Sequence, residues 1–288
     1  MDLAVVVLIQ ILYAVASLAL ISVGLAIIFG MMGVINFAHG EFLMMGGYAF
    51  ILSVGAGVNF WIAMLVIAPI TVGVLGVIIE RLIIRHLYGR IIETVLATWG
   101  LSLFLIGLAA TVLGYHQKGV APPFGNIEIG PYREGGYTLF VIGITILVLM
   151  LSYLGLKYTK FGLIARGTMQ NANMASALGA RVNKVYAITF GVGAALSGLA
   201  GAVLAPIAGV LPDIGVTYVV KAFITVIGGG SVALSGTGAA SALFGAVNQA
   251  VTFLSRPVVG EVALLVVAII LLRLLPNGIT GKYFRKGL

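Results

Sequence analysis

The chain has 288 residues, 61% of them apolar and 8% charged, against roughly 25% charged in an average soluble domain. So few charges cannot cover a soluble surface, so a soluble enzyme and a nucleic-acid binder with a basic groove are excluded. The apolar runs are continuous, whereas the strands of a membrane barrel alternate polar and apolar residues. Helices of about 20 residues cross a bilayer, so this composition predicts an all-α, polytopic bundle with about eight spans. There is no Cys, hence no disulfide or thiol chemistry. The 40 glycines point to close helix packing and broken helices.

In chain order, charges bound the apolar segments. No charged residue lies between Asp2 and Glu41, or between Glu41 and Glu80. Met1 to Leu20 lacks the basic start of a secretory signal, and its apolar run continues past a signal's length; it is expected to be a retained first membrane helix. Helices are predicted near 5–29, 42–57, 60–79, 92–113, 137–156, 185–207, 238–254 and 258–275. Residues 218–228 read as a further half-helix. Residues 1–288 form one transmembrane domain in this reading.

Basic residues set the orientation. Loop 80–93, loop 157–184 and the tail from Arg273 hold 12 of the 16 Lys and Arg residues. These regions are expected to be cytoplasmic, the C-terminus with them. Loop 114–136 is then external. Gly193, Ser197 and Gly201 recur every four residues, as do Ala194, Gly198 and Ala202. Such ladders let helix backbones approach closely.

Three segments stand out chemically. The first, Gly30 to Glu41, joins two apolar runs and holds Asn36, His39 and Glu41. Polar groups at membrane depth face a cavity, a partner or water. Glycines there let the helix break, which is tolerated only inside protein or beside a wet cavity. This predicts a substrate-pathway or hinge element. His39 and Glu41 alone are too few for a metal site. Among carboxylates, Glu41 is the membrane candidate in this reading, and Glu80 only marks the end of a span.

The second segment holds Lys221 and Phe223 ahead of Gly228-Gly229-Gly230-Ser231. A half-helix, a glycine-rich break and a second helix form a re-entrant pattern. Lys221 is expected to snorkel to the outer interface rather than touch substrate. The turn lacks the Gly-Lys-Ser/Thr ending of a phosphate loop, so hydrolysis of ATP is not expected in this chain.

The third segment runs from Lys160 to Lys184. Thr168 is predicted to cap a short helix, Gly179 to end it and Asn183 to cap the next membrane helix. Met174, Ala177 and Leu178, spaced i, i+3 and i+4, give it one apolar face suited to a partner's groove.

Together these segments resemble the permease subunits of branched-chain amino acid ABC importers, a family that includes urea and short-amide permeases. The likeness is carried by Gly33-Val-Ile-Asn-Phe-Ala-His-Gly-Glu41, by Leu87-Tyr-Gly-Arg90 with Leu96-Ala-Thr-Trp-Gly100, by Met169 to Gly179, and by Lys221-Ala-Phe223 with the glycine triplet. It is greatest to the first of the two permeases in such systems. The resemblance implies a homologous second permease, two cytoplasmic ATPase subunits and an external solute-binding protein. The chain itself would carry no cofactor; ATP and magnesium would sit on the ATPases. Asn36, His39, Glu41, Lys221 and Phe223 would lie near the pathway in the plasma (inner) membrane. Met169, Met174, Ala177, Leu178 and Gly179 would form the coupling helix, flanked by Arg166 and Arg181. Branched-chain amino acids are the leading substrate class. Urea or short amides come next, because Leu96 to Gly100 also resembles urea-type members. An ion-coupled secondary transporter or channel is the rival of a different class.

Overall fold

In the computed structural model, residues 2–230 and 232–284 are described. Ser231, Arg285 and Lys286 therefore lie outside the described residues, as does the side chain of Lys282. In chain order the helices are α1 (Asp2–Met32), α2 (His39–Gly55), α3 (Phe60–Leu82), α4 (Ile91–Leu113), α5 (Gly136–Tyr158), α6 (Lys160–Gln170), α7 (Ala172–Ala177), α8 (Val182–Ala208), α9 (Ile214–Gly229), α10 (Ala233–Leu254), α11 (Pro257–Leu274) and α12 (Gly278–Phe284). α3 is continuous through one π-helical stretch at Ala63–Ile67. The chain is an all-α membrane bundle carrying one small hairpin.

Among the described residues, six helices are long and apolar enough to cross a bilayer, and a bent pair adds a seventh if its two arms count as one broken span rather than a re-entrant loop. This agrees with the expected count of about eight. α2 has 17 residues, just under a full crossing. The bent pair is α9 with α10, turned by 114° where the glycine triplet falls. Thr280 holds that turn: its hydroxyl donates to Gly229 O (2.7 Å), and its oxygen accepts from the Val232 amide (3.2 Å). The predicted half-helix and the helix after it are the two arms of this element.

The hairpin lies in the loop expected to be external. Strand β1 (Asn126–Ile129) pairs antiparallel with β2 (Tyr132–Gly135), turning at Gly130 with φ +59°. Glu128 faces Arg133 across it at 2.9 Å. Both side chains are exposed, so the pair contributes about 0–1 kcal/mol.

Contacts divide the chain into two compact units. One comprises residues 23–120 and 151–220. Its centre is α8, whose small residues admit neighbouring backbones. A Cβ at Gly46 would overlap the backbone of Gly198, and one at Gly201 would overlap Leu43 O. Gly24 meets Gly193 and Ser197 in the same way. Apolar lipid offers little hydrophobic drive between helices, so this close packing holds them together. Phe42 meets Phe190 edge-on at 5.9 Å, within a core that includes Ile28, Val72, Ile79 and Ala194.

The other unit comprises residues 1–22, 121–150 and 221–288. There α10 packs on α11, and Gly245 admits the backbone of Val15. Gln10 links Glu134 (3.3 Å) to Gln249 (3.2 Å). Large apolar side chains stay exposed in each unit, Ile92 and Phe104 on α4 of the first and Val258 and Ile269 on α11 of the second. Apolar surface on that scale needs a nonaqueous partner, here lipid.

Candidate functional site

The helix preceding the first segment ends where Gly33 takes φ +63°, a conformation that favours glycine. The chain then turns at Asn36, whose Oδ1 accepts from the Ala38 amide at 3.1 Å. The Phe37 amide donates to Thr98 Oγ1 of α4 at 3.2 Å, and α2 starts at His39. Residues that read as a polar linker are therefore bound to a second helix.

Asn36, His39 and Glu41 are all fully buried. His39 Nδ1 lies 3.2 Å from Ser197 Oγ on α8. The single hydroxyl proton of Ser197 goes to Gly193 O at 2.8 Å. That leaves the Nδ1–H of His39 to donate to Ser197, the tautomer this network favours. On the adjoining residue the start of α2 meets α9: a Cβ at Gly40 would overlap the Gly215 carbonyl, and one at Gly215 would meet Gly40 C at 2.6 Å.

The Glu41 carboxylate is enclosed by protein, with the Ser102 hydroxyl of α4 turned toward it. Neither carboxylate oxygen closes a hydrogen bond of ordinary geometry, and Asn36 Nδ2 and the Tyr48 hydroxyl are likewise buried without one. Buried polar atoms are nearly always bonded, so several together mark a site that costs stability.

A second enclosed carboxylate corrects the sequence reading. Glu80, taken there as a span boundary, is fully buried near the end of α3. Its Oε1 accepts the Tyr88 hydroxyl, and its Oε2 has no hydrogen-bond partner. Burial, and then this bond to Glu80, push the Tyr88 phenol well above its ordinary range. Glu80 escaped notice because it sits beside Arg81, where a charge reads as loop. On the other flank of the unit, the Asp213 carboxylate accepts the Tyr115 hydroxyl, which holds that phenol above its ordinary range.

Lys221 and Phe223 fall in the other unit, on α9. Lys221 Nζ forms an ion pair with Glu261 at 2.7 Å. Phe223 is half-buried.

The third segment is built differently. Thr159 caps α6, its hydroxyl accepting from the Gly162 amide at 3.0 Å. Asn171 caps α7, its Oδ1 accepting from the Met174 amide at 2.9 Å. Two predicted caps are thereby corrected. Thr168 lies inside α6 and bonds back to Ile164 O (2.8 Å), while Asn183 lies inside α8, whose N-cap is Arg181 with no side-chain bond. Gly179 does end the segment, at φ +89°.

Apolar side chains here point to solvent. Leu178 is 82% exposed, and Met174, one turn before it, and Met169, in α6, are exposed too. Ala177, Arg166 and Arg181 are exposed as well. Arg166 reaches the Gly162 and Lys157 carbonyls at 3.4 and 3.3 Å.

A family model described as "Branched-chain amino acid transport system / permease component" matches residues 7–275. The chain belongs to this family. Over 286 residues the permease is 30% identical to the high-affinity branched-chain amino acid transport system permease protein BraD of Pseudomonas aeruginosa, covering 93% of this chain and 92% of that one. It is 27% identical over 284 residues to LivH of Salmonella typhimurium, a protein of the same description, with the same coverage. Among solved structures, PsaBC from Streptococcus pneumoniae in complex with Fab matches 96% of this chain and 93% of that one. Its TM-score is 0.50 at 18% identity, a likeness of fold alone. The permease is thus a multi-pass membrane protein of a transport system.

Proposed function

We propose that this chain is the membrane permease subunit of a binding-protein-dependent, ATP-driven importer for branched-chain or related amino acids. Residues 1–288 act as one permease domain in the plasma (inner) membrane, with the C-terminus cytoplasmic. Its partners are a homologous second permease, two ATPase subunits that hold ATP and magnesium, and an external solute-binding protein. Urea and short amides are the rival substrates within the class.

The observation that carries this reading is the buried break at 36–41. A histidine against α8 and a carboxylate facing Ser102 of α4 are both fully buried, in a chain whose family is built of transport permeases. Asn36, His39 and Glu41 serve the pathway, and so do Lys221 and Phe223 from α9. Enclosed polar atoms give a polar solute groups to bind that lipid does not offer. On the cytoplasmic side, Met174, Ala177 and Leu178 dock in an ATPase groove. Met169 and Gly179 bound that contact, and Arg166 and Arg181 flank it.

The test is reconstitution. Affinity purification of the chain should bring two ATPases with it, and proteoliposomes of the complex should take up leucine only with ATP and the binding protein. Uptake driven by an ion gradient without ATPases would replace this reading with a secondary transporter. A reporter after Leu288 should be cytoplasmic, and one inserted near Gly125 external; a cytoplasmic Gly125 would overturn the topology.

A further inference from the structure

Two concave regions follow one another along α3 and α8. The first is a groove of about 610 Å³ between the outward faces of the two helices. Val74 and Ile78 of α3 and Ile188 and Val192 of α8 form its exposed apolar walls. Gly73 and Gly191 form its bed, where a Cβ at Gly191 would meet the Val77 side chain at 2.5 Å. From Pro69 to Arg81 the groove runs roughly 18 Å along α3, at 1.5 Å per residue. That slightly exceeds one leaflet of a hydrocarbon core about 30 Å thick.

Arg81 closes the groove and opens the second region, a cleft of about 780 Å³. Lys184 lines the cleft and Ile188, one turn on along the same face of α8, lines the groove, so the two are continuous along α8. Arg81, Arg85, Arg181 and Lys184 surround the cleft, with Glu80 the one acidic residue in its lining. All four cations are exposed, and none forms an ion pair with another described residue.

We infer that groove and cleft together bind one anionic glycerophospholipid, its acyl chain along α3 and α8 and its phosphate among Arg81, Arg85 and Lys184. Basic pockets between membrane helices suit such headgroups. The Glu80 side chain is fully buried, which leaves the headgroup contact to the exposed cations. Phosphatidylglycerol, an anionic glycerophospholipid, is therefore the probe. The inference needs only that the chain spans a membrane, and stands apart from the substrate it moves.

The test is native mass spectrometry of the full chain in mild detergent. Phosphatidylglycerol and phosphatidylethanolamine of equal acyl length are titrated in parallel. Phosphatidylglycerol should be retained at least tenfold better. Arg81→Gln with Arg85→Gln should bring it to the level of phosphatidylethanolamine, whereas Lys160→Gln, at the start of α6 and outside the cleft lining, should leave it unchanged. A photo-crosslinking side chain at position 74 of the otherwise unaltered chain should capture lipid in membranes. Equal retention of the two lipids, unchanged binding in the double variant, or capture of a protein at position 74 would each overturn the proposal.

Discussion

Residues 36–41 and residues 171–179 break the usual rule of burial in opposite directions. The first region hides polar atoms: Asn36, His39 and Glu41 are fully enclosed. The second displays apolar ones: Leu178 is 82% exposed. Enclosing polar atoms and exposing apolar ones both cost stability. In the inner region the cost persists in the folded chain. In the outer one it is relieved as soon as a partner covers Met174 and Leu178. Sites that stay unsatisfied suit a passing solute, whereas sites that a lasting contact relieves suit a docked subunit.

Substitutions sharpen that contrast, and the largest effect is expected at the backbone contact behind His39. Gly40→Leu drives a side chain into the Gly215 carbonyl. Overpacking costs typically 1–3 kcal/mol and more against rigid backbone, so the variant should be lost as folded protein in size-exclusion chromatography. Gly167→Ala, in α6 with open space around it, should be neutral or stabilise by up to about 1 kcal/mol in thermal unfolding. Equal behaviour of the two variants would mean that the Gly40 contact does not hold the break in place.

Next comes Leu178→Asp. Burying a leucine is worth about 1.5–3 kcal/mol, so pull-down of the ATPase should weaken roughly ten- to hundredfold. The chain's own unfolding should shift by less than about 0.5 kcal/mol, as at other exposed positions. Normal capture and normal transport together would remove this segment as the docking site.

Smaller effects test the local bonds. Ser197→Ala leaves His39 Nδ1 without its partner on α8, costing about 1 kcal/mol of stability. Asn171→Ala removes the cap of α7, again about 1 kcal/mol, and should weaken ATPase capture only partly. Thr168→Val should do much less, because Thr168 caps nothing. The reverse order would restore the cap read from sequence.

That pair also shows how far the sequence could be read. Gaps between charges located the spans, because a bilayer tolerates few charges whatever the tertiary packing. The positive φ of Gly179 and the break at Gly33 were legible, since glycine in those contexts signals its backbone. Caps were less so: Thr159, Thr168, Asn171 and Asn183 all fit the rule, and only the path of the chain selects among them. Ser197 was visible as a packing residue, but not as the partner of a histidine 158 residues away. Glu80 was hidden by its neighbour Arg81, because sequence alone does not say which of two adjacent charges turns inward. The hairpin at 126–135 was read as plain loop; its strands are only four residues each.

Glu41→Gln gives the most direct measurement. The substitution keeps size and replaces a buried carboxyl group whose oxygens close no hydrogen bond of ordinary geometry. In proteoliposomes of the complete importer, ATP-dependent uptake should fall at least tenfold, while ATPase capture and monodispersity stay at wild-type level. Wild-type uptake by Glu41→Gln, or uptake lost only in step with assembly, would contradict a translocation role for the buried break.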